Sequence, residues 1–114
     1  KTRKFVEKFI QAYGKPHGQW LTGAAYDSIY VLARAIERAG CLDPDQLVAE
    51  LKKTDYAGVI GRVRFDQTHQ VVYGTDPEKE ALCLAYQWQD GKQVPIYPPL
   101  IAEGKVLLPA WMKK

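Results

Sequence analysis

The chain has little of what most functional classes require. Its two cysteines, Cys41 and Cys83, cannot make a disulfide framework, and neither stands at metal-ligand spacing, so the sequence reads them as two buried free thiols, with one intramolecular bridge as the alternative in an oxidising compartment. The two histidines, His17 and His69, each stand alone in polar, loop-like stretches, which leaves no metal site to propose. Charge of one sign is also scarce. Sixteen Lys and Arg against thirteen Asp and Glu leave a net +3, spread along the chain, where a nucleic-acid binder concentrates its basic residues on one face. The basic runs at residues 1–4, 52–53 and 113–114 read as solvated ends of elements. No apolar run is long enough to cross a bilayer, and there is no charged, apolar, small-residue leader. The expectation is a mature, processed or truncated protein.

Catalytic signatures are missing as well. There is no glycine-rich phosphate loop, no nucleophile elbow and no helical His pair enclosing a Glu. Cys83 lies within an apolar strand without a basic neighbour and reads as a buried structural thiol. Asp27, early in a helix, and Asp66, at a strand end, read as cap or turn acceptors and not as an acid or base. No catalytic residue and no cofactor are expected. A small enzyme built on His17, Asp27 or Cys83 is the weakest of the functional alternatives.

What is present is a globular composition, 46% hydrophobic and 25% charged over 114 residues, enough for one compact domain. Three helices come first. Phe5, Val6, Phe9, Ile10 and Tyr13 recur at helical spacing and form one buried stripe, ended by Gly14 and Pro16. Residues 15–22 read as a connection. A helix over residues 24–39 carries Tyr26, Ile29, Tyr30, Leu32, Ala33 and Ile36 around more than half its circumference, which predicts burial on most sides, and Gly40 suits its end. The third helix has the clearest start. Asp43 is an N-cap, Pro44 suits the first helical position, Gln46 completes a capping box, and Leu42 with Leu47 occupies the staple positions.

After Gly58 the period falls to two. Val63 and Phe65 alternate with Arg62 and Arg64 in a half-buried strand, residues 66–70 form a polar turn, and residues 71–73 return. A loop over residues 74–80 leads to a strand over residues 81–88, with Leu82, Leu84, Tyr86 and Trp88 on one face. Asp90-Gly91 marks a hairpin, and residues 94–97 form the partner strand, at an edge because Pro95 cannot donate to a ladder. Trp20 stands beside Gly18 and Gly23 in the expected connection, where it either covers the end of the second helix or contacts a ligand.

In their order, Phe5-Val6-Glu7-Lys8-Phe9, Tyr13-Gly14-Lys15-Pro16, Ala25-Tyr26-Asp27-Ser28, Ala39-Gly40, Leu51-Lys52-Lys53-Thr54, Gly61-Arg62-Val63-Arg64-Phe65-Asp66 and Gln87-Trp88 with Asp90-Gly91-Lys92 run across nearly the whole chain. This pattern resembles the C-terminal third of type I periplasmic binding proteins, and among them the branched-chain amino-acid receptors of ABC transporters. It departs from them at His69-Gln70, where many relatives have Gly-Asp. The resemblance implies an α/β fold: part of a two-lobed receptor with largely parallel, helix-flanked sheets whose hinge closes on a solute. It implies that residues 1–80 belong to the first lobe and that residues 81–114 supply a crossing strand, hairpin and tail. It places Trp20 and Leu21 on the pocket wall.

The implied function is one part of an extracytoplasmic, periplasmic solute receptor that works with a membrane permease and takes amino acids, without affinity for them on its own. A free-standing interaction or sensory module of the same fold is the alternative. An exposed face bearing Tyr86 and Trp88 adds the expectation of a homo-oligomer, for which light scattering at micromolar concentration is the check.

Overall fold

A computed structural model describes residues 1–14 and 19–112, residues 19 and 20 by their backbone only. The elements run α1 (Thr2–Tyr13), α2 (Gln19–Ala39), α3 (Pro44–Lys52), β1 (Asp55–Ala57), β2 (Arg62–Arg64), β3 (Tyr73–Gly74), β4 (Ala81–Leu82), β5 (Ala85–Gln89) and β6 (Lys92–Tyr97), followed by a 3₁₀ turn at Ala110–Met112. They form two compact units, Lys1–Leu82 and Cys83–Lys114.

In the first unit, α1 stops where the sequence stops it: Gly14 takes φ 78° and its N–H donates to the Ile10 carbonyl. Its stripe is only partly covered, because Phe5, Val6 and Phe9 are half-buried whereas Ile10 and Tyr13 are exposed. The second helix starts five residues before the expected position. Residues 19–22 are therefore helix and not connection, and Gly23 lies inside it. Packing outweighs helix propensity here. A Cβ on Gly23 would sit 3.2 Å from Ile60 Cγ2 and 3.4 Å from Val59 Cγ1, so the glycine lets the helix backbone settle onto the turn between β1 and β2.

Burial along α2 also corrects the expectation. Its buried residues are Gly23, Asp27, Val31 and Ala35, a strict four-residue repeat that makes a single narrow stripe. Ile29 is 68% exposed, and Tyr26, Tyr30 and Leu32 are also exposed, since the described residues cover only one side of the helix. The third helix forms as its sequence dictates. Asp43 accepts from the Gln46 N–H at 3.0 Å and Pro44 opens the helix, although Leu42 of the expected staple is exposed. Arg38 ties α2 to α3 through the Glu50 carboxylate at 3.0 Å and the Glu50 carbonyl at 2.8 Å.

The strands are short. β1, absent from the sequence reading, pairs antiparallel with β2, setting Tyr56 opposite Val63. Three residues are too few to show a period, which is why β1 was not legible. Residues 66–70 form the expected polar turn: Asp66 Oδ1 accepts from the Thr68 and Gln70 N–H groups, and His69 takes φ 65°. Phe65 then bridges Val71, and β3 pairs with β4 in parallel. Of the three two-stranded ladders among the described residues, this one alone is parallel. Val31, Tyr56, Ile60, Val63 and Ala81 make the core, with Ala24, Leu51, Phe65 and Val71 packed against it.

The strand expected over residues 81–88 is interrupted. Ala81 and Leu82 donate to the carbonyls of Val72 and Ile60. Cys83 and Leu84 belong to no strand, and the next ladder opens with an irregular step between Ala85 and Tyr86. Cys83 is accordingly exposed, not buried, while Cys41 is half-buried; both are free thiols. The second unit is the β5–β6 hairpin with its tail. Asp90 at φ 49° and Gly91 at φ 73° form the two-residue turn that Asp-Gly predicts.

Candidate functional site

Two features of the first unit carry its chemistry. One is a buried carboxylate. Asp27, 1% exposed, accepts from the Val59 N–H at 2.9 and 2.7 Å through its two oxygens and from the Ile60 N–H at 2.9 Å. These amides have no ladder partner at the turn, and a carboxylate is the strongest acceptor available to them. The backbone leaves room for it because residue 58 is glycine: a Cβ there would lie 2.3 Å from Asp27 Oδ2. The expectation of an acceptor and not an acid or base fits this geometry. Asp27 fastens α2 to the β1–β2 turn.

The other feature is a groove of about 660 Å³ lined by α1, α2 and the start of the β1–β2 hairpin. Its floor is a file of six rings. Tyr13 meets Phe9 at 5.0 Å between centroids, Phe9 meets Phe5 at 6.0 Å, Phe5 meets Tyr26 at 4.8 Å, Tyr26 meets Tyr30 at 4.9 Å, and Tyr30 lies parallel to Tyr56 at 6.5 Å. Most pairs are tilted, the arrangement that ring quadrupoles favour. Lys1, Lys4, Lys8 and Arg34 stand along the groove. Arg34 lies 4.8 Å from the Tyr56 ring centroid, and Lys1 lies 5.1 Å from it while donating to the Ala57 carbonyl. Burial raises the Tyr56 phenol above its ordinary value, and a hydrogen bond with Tyr30 raises that of Tyr26.

Leu21 sits in the first turn of α2 with 76% of its surface exposed and does not line this groove. The side chain of Trp20, like all of His17, lies outside the described residues. Sequence reasoning missed the groove itself. Its signal was available, because Phe5, Phe9 and Tyr13 recur at four-residue spacing beside Lys1, Lys4 and Lys8, and Tyr26 and Tyr30 repeat that spacing on α2. Reading residues 1–4 as a solvated end hid it.

A family model described as "Periplasmic binding protein" matches residues 1–83. The chain belongs to the periplasmic binding protein family. Its members act outside the cytoplasm, and no helix among the described residues is long and apolar enough to cross a membrane. Leu/Ile/Val-binding protein homolog 8 of Brucella abortus (strain 2308) is 30% identical over 106 residues, covering 89% of this chain. The protein of the same name from Brucella suis biovar 1 (strain 1330) matches to the same extent. The chain spans about a quarter, 25%, of the length of these curated relatives.

Among solved structures, the leucine binding protein LivK from Thermotoga maritima MSB8 is similar at 27% identity and TM-score 0.67, over 82% of this chain and 25% of its own. A protein from Silicibacter pomeroyi described as a branched-chain amino acid ABC transporter matches at TM-score 0.75 over 96% of this chain and 31% of its own, and at 19% identity shows the shared fold. These relatives are solute-binding transport proteins and not enzymes.

Proposed function

We propose that this periplasmic binding protein chain contributes one wall of the solute cleft in a receptor for ABC-type uptake of branched-chain or related amino acids, and that it does not hold solute by itself. The observation that carries the reading is the 30% identity to Leu/Ile/Val-binding homologues over 89% of the chain, together with its span of only 25% of theirs. Most of such a receptor's polar contacts to a solute then come from polypeptide outside this quarter. Leu21 supports a place on the cleft wall, since it is a large apolar side chain left 76% exposed among the described residues at a helix start. Trp20 precedes it and belongs to the same reading.

The division of the chain after Leu82 fits a first-lobe part over residues 1–80 and a crossing strand, hairpin and tail over residues 81–114. A membrane permease is the transport partner in this reading. Self-association through the hairpin face is a further part of it, supported by the 39% and 72% exposure of Tyr86 and Trp88.

Calorimetry tests the proposal. The chain mixed with leucine, isoleucine or valine should give no saturable heat. The Brucella homologue with its matching quarter replaced by this chain should bind one of the three, and Leu21→Asp in that chimaera should weaken binding by about tenfold or more, the effect of setting a carboxylate against an apolar solute. Tight binding by the chain alone overturns the proposal, as does a folded chimaera that binds none of them.

A further inference from the structure

The groove between α1 and α2 has a composition that the receptor reading does not use. Its volume, about 660 Å³, lies within the size of small-molecule sites. Six aromatic rings form the floor. Among the described residues that line it there are four cationic side chains and no carboxylate. Asp27, the nearest acidic group to the tyrosines, is buried and occupied by the Val59 and Ile60 amides. Lys1 and Arg34 are engaged with the Tyr56 ring, and Lys1 also with a carbonyl. Lys4 and Lys8 stand one helical turn apart on the rim, and among the described residues neither is in an ion pair.

We propose that this groove is a binding site for a small aromatic carboxylate. The ligand's ring lies against the file of tilted rings at Phe5, Phe9 and Tyr26, and its carboxylate meets the ammonium groups of Lys4 and Lys8. Each half of the ligand is required. An inorganic anion would find two solvated lysines and no desolvated surface, which gives little affinity. An aromatic cation would find the rings but enter a positive field. Branched-chain amino acids carry no net charge and no ring, so the site leaves them unbound. The inference rests on the groove alone: it survives if the receptor reading fails, and it fails without affecting that reading.

The test is a two-dimensional amide NMR titration of the full chain with indole-3-acetate, and with tryptamine as the same ring bearing the opposite charge. Indole-3-acetate should shift amides along α1 and the first half of α2 and saturate in the millimolar range or below, with tryptamine weaker by about tenfold. Lys4→Glu combined with Lys8→Glu should weaken indole-3-acetate about tenfold and remove the preference between the two ligands. Lys4→Arg with Lys8→Arg should keep both the affinity and the preference. Both positions are exposed on α1, so retained dispersion of the amide spectrum shows that the fold is intact. Raising the salt to about 1 M should weaken the carboxylate and not the amine. Equal affinity for the two ligands overturns the proposal. So do shifts confined to the hairpin and its tail, affinity unchanged by the double Glu substitution, or absence of saturation.

Discussion

In Lys1–Leu82 the buried apolar side chains gather on one stripe of α2 and on the β1–β2 hairpin beneath it, around a carboxylate that accepts two backbone amides. In Cys83–Lys114 Pro98 alone among the described residues is fully covered, and Trp88 and Trp111 are 72% and 82% exposed. The second unit is held by directional bonds instead. Gln87 Nε2 donates to the Leu107 carbonyl at 2.9 Å while its Oε1 accepts from the Leu107 N–H at 2.8 Å, and Gln89 Nε2 donates to the Lys105 carbonyl at 2.8 Å. Side-chain amides thus do for the tail what a third strand would do by its backbone. The contrast teaches that one short chain can hold two units by different means, one by apolar burial and the other by turn chemistry and glutamine pairing.

The sharpest way to break the comparison is at Asp27. Asp27→Ala leaves the Val59 and Ile60 amides buried without an acceptor, and should cost the first unit about 3 kcal/mol, read as a lower urea midpoint in the helical circular-dichroism signal. Asp27→Asn, which keeps one acceptor oxygen, should cost about half as much. A midpoint that stays within error of the parent's in both variants would show that the carboxylate does not fasten α2. In the second unit, Gln87→Leu removes both bonds to Leu107 and should cost about 1 kcal/mol, with faster amide exchange at Leu107 while the exchange of Val63 is unchanged. Equal protection of Leu107 in parent and variant would assign the tail's order to some other contact.

The smallest effect is acid sensitivity, and it belongs to the first unit. Hydrogen bonds from Lys53 and Arg38 lower the Glu50 carboxyl, Arg62 lowers Asp55, Thr68 and the Gln70 amide lower Asp66, and Lys79 lowers Asp76. A folded-state pKa below the unfolded one gives stability that is present above the unfolded carboxylate value and lost as pH falls through the folded one. The urea midpoint should therefore fall as pH drops from about 5 to about 2. All four groups are solvent-screened, so the change should be shallow and weaker still in high salt. A midpoint that rises over that range would reverse the sign.

How legible each part was depended on how local its cause is. The Asp43 cap, the Gly14 stop, the Asp66 turn and the Asp90-Gly91 hairpin each arise within four or five residues, and all four formed as read. The start of α2 was misread because Gly23, a helix breaker by propensity, packs closely there against side chains of Val59 and Ile60 that lie far along the chain. The strand over residues 81–88 was misread because strict alternation carries no mark of where the pairing partner changes. The place of Leu21 on a cleft wall came only from family resemblance and stays a proposal. The groove had a four-residue signal on each helix, but only the tertiary structure brings the two stripes together.

By itself, the sequence determined that this chain is a helix-then-strand member of a solute-receptor family, and it set the turns and caps that punctuate it. Those properties follow from local backbone preference and from an order of short motifs, both of which are encoded in neighbouring residues. Only the tertiary structure decided which face of α2 is buried, that Asp27 spends its carboxylate on two amides more than thirty positions away, and that the α1 ring file meets the α2 tyrosines at Phe5 and Tyr26. Those outcomes depend on which distant surfaces exclude water from one another, and no window of neighbouring residues contains that information.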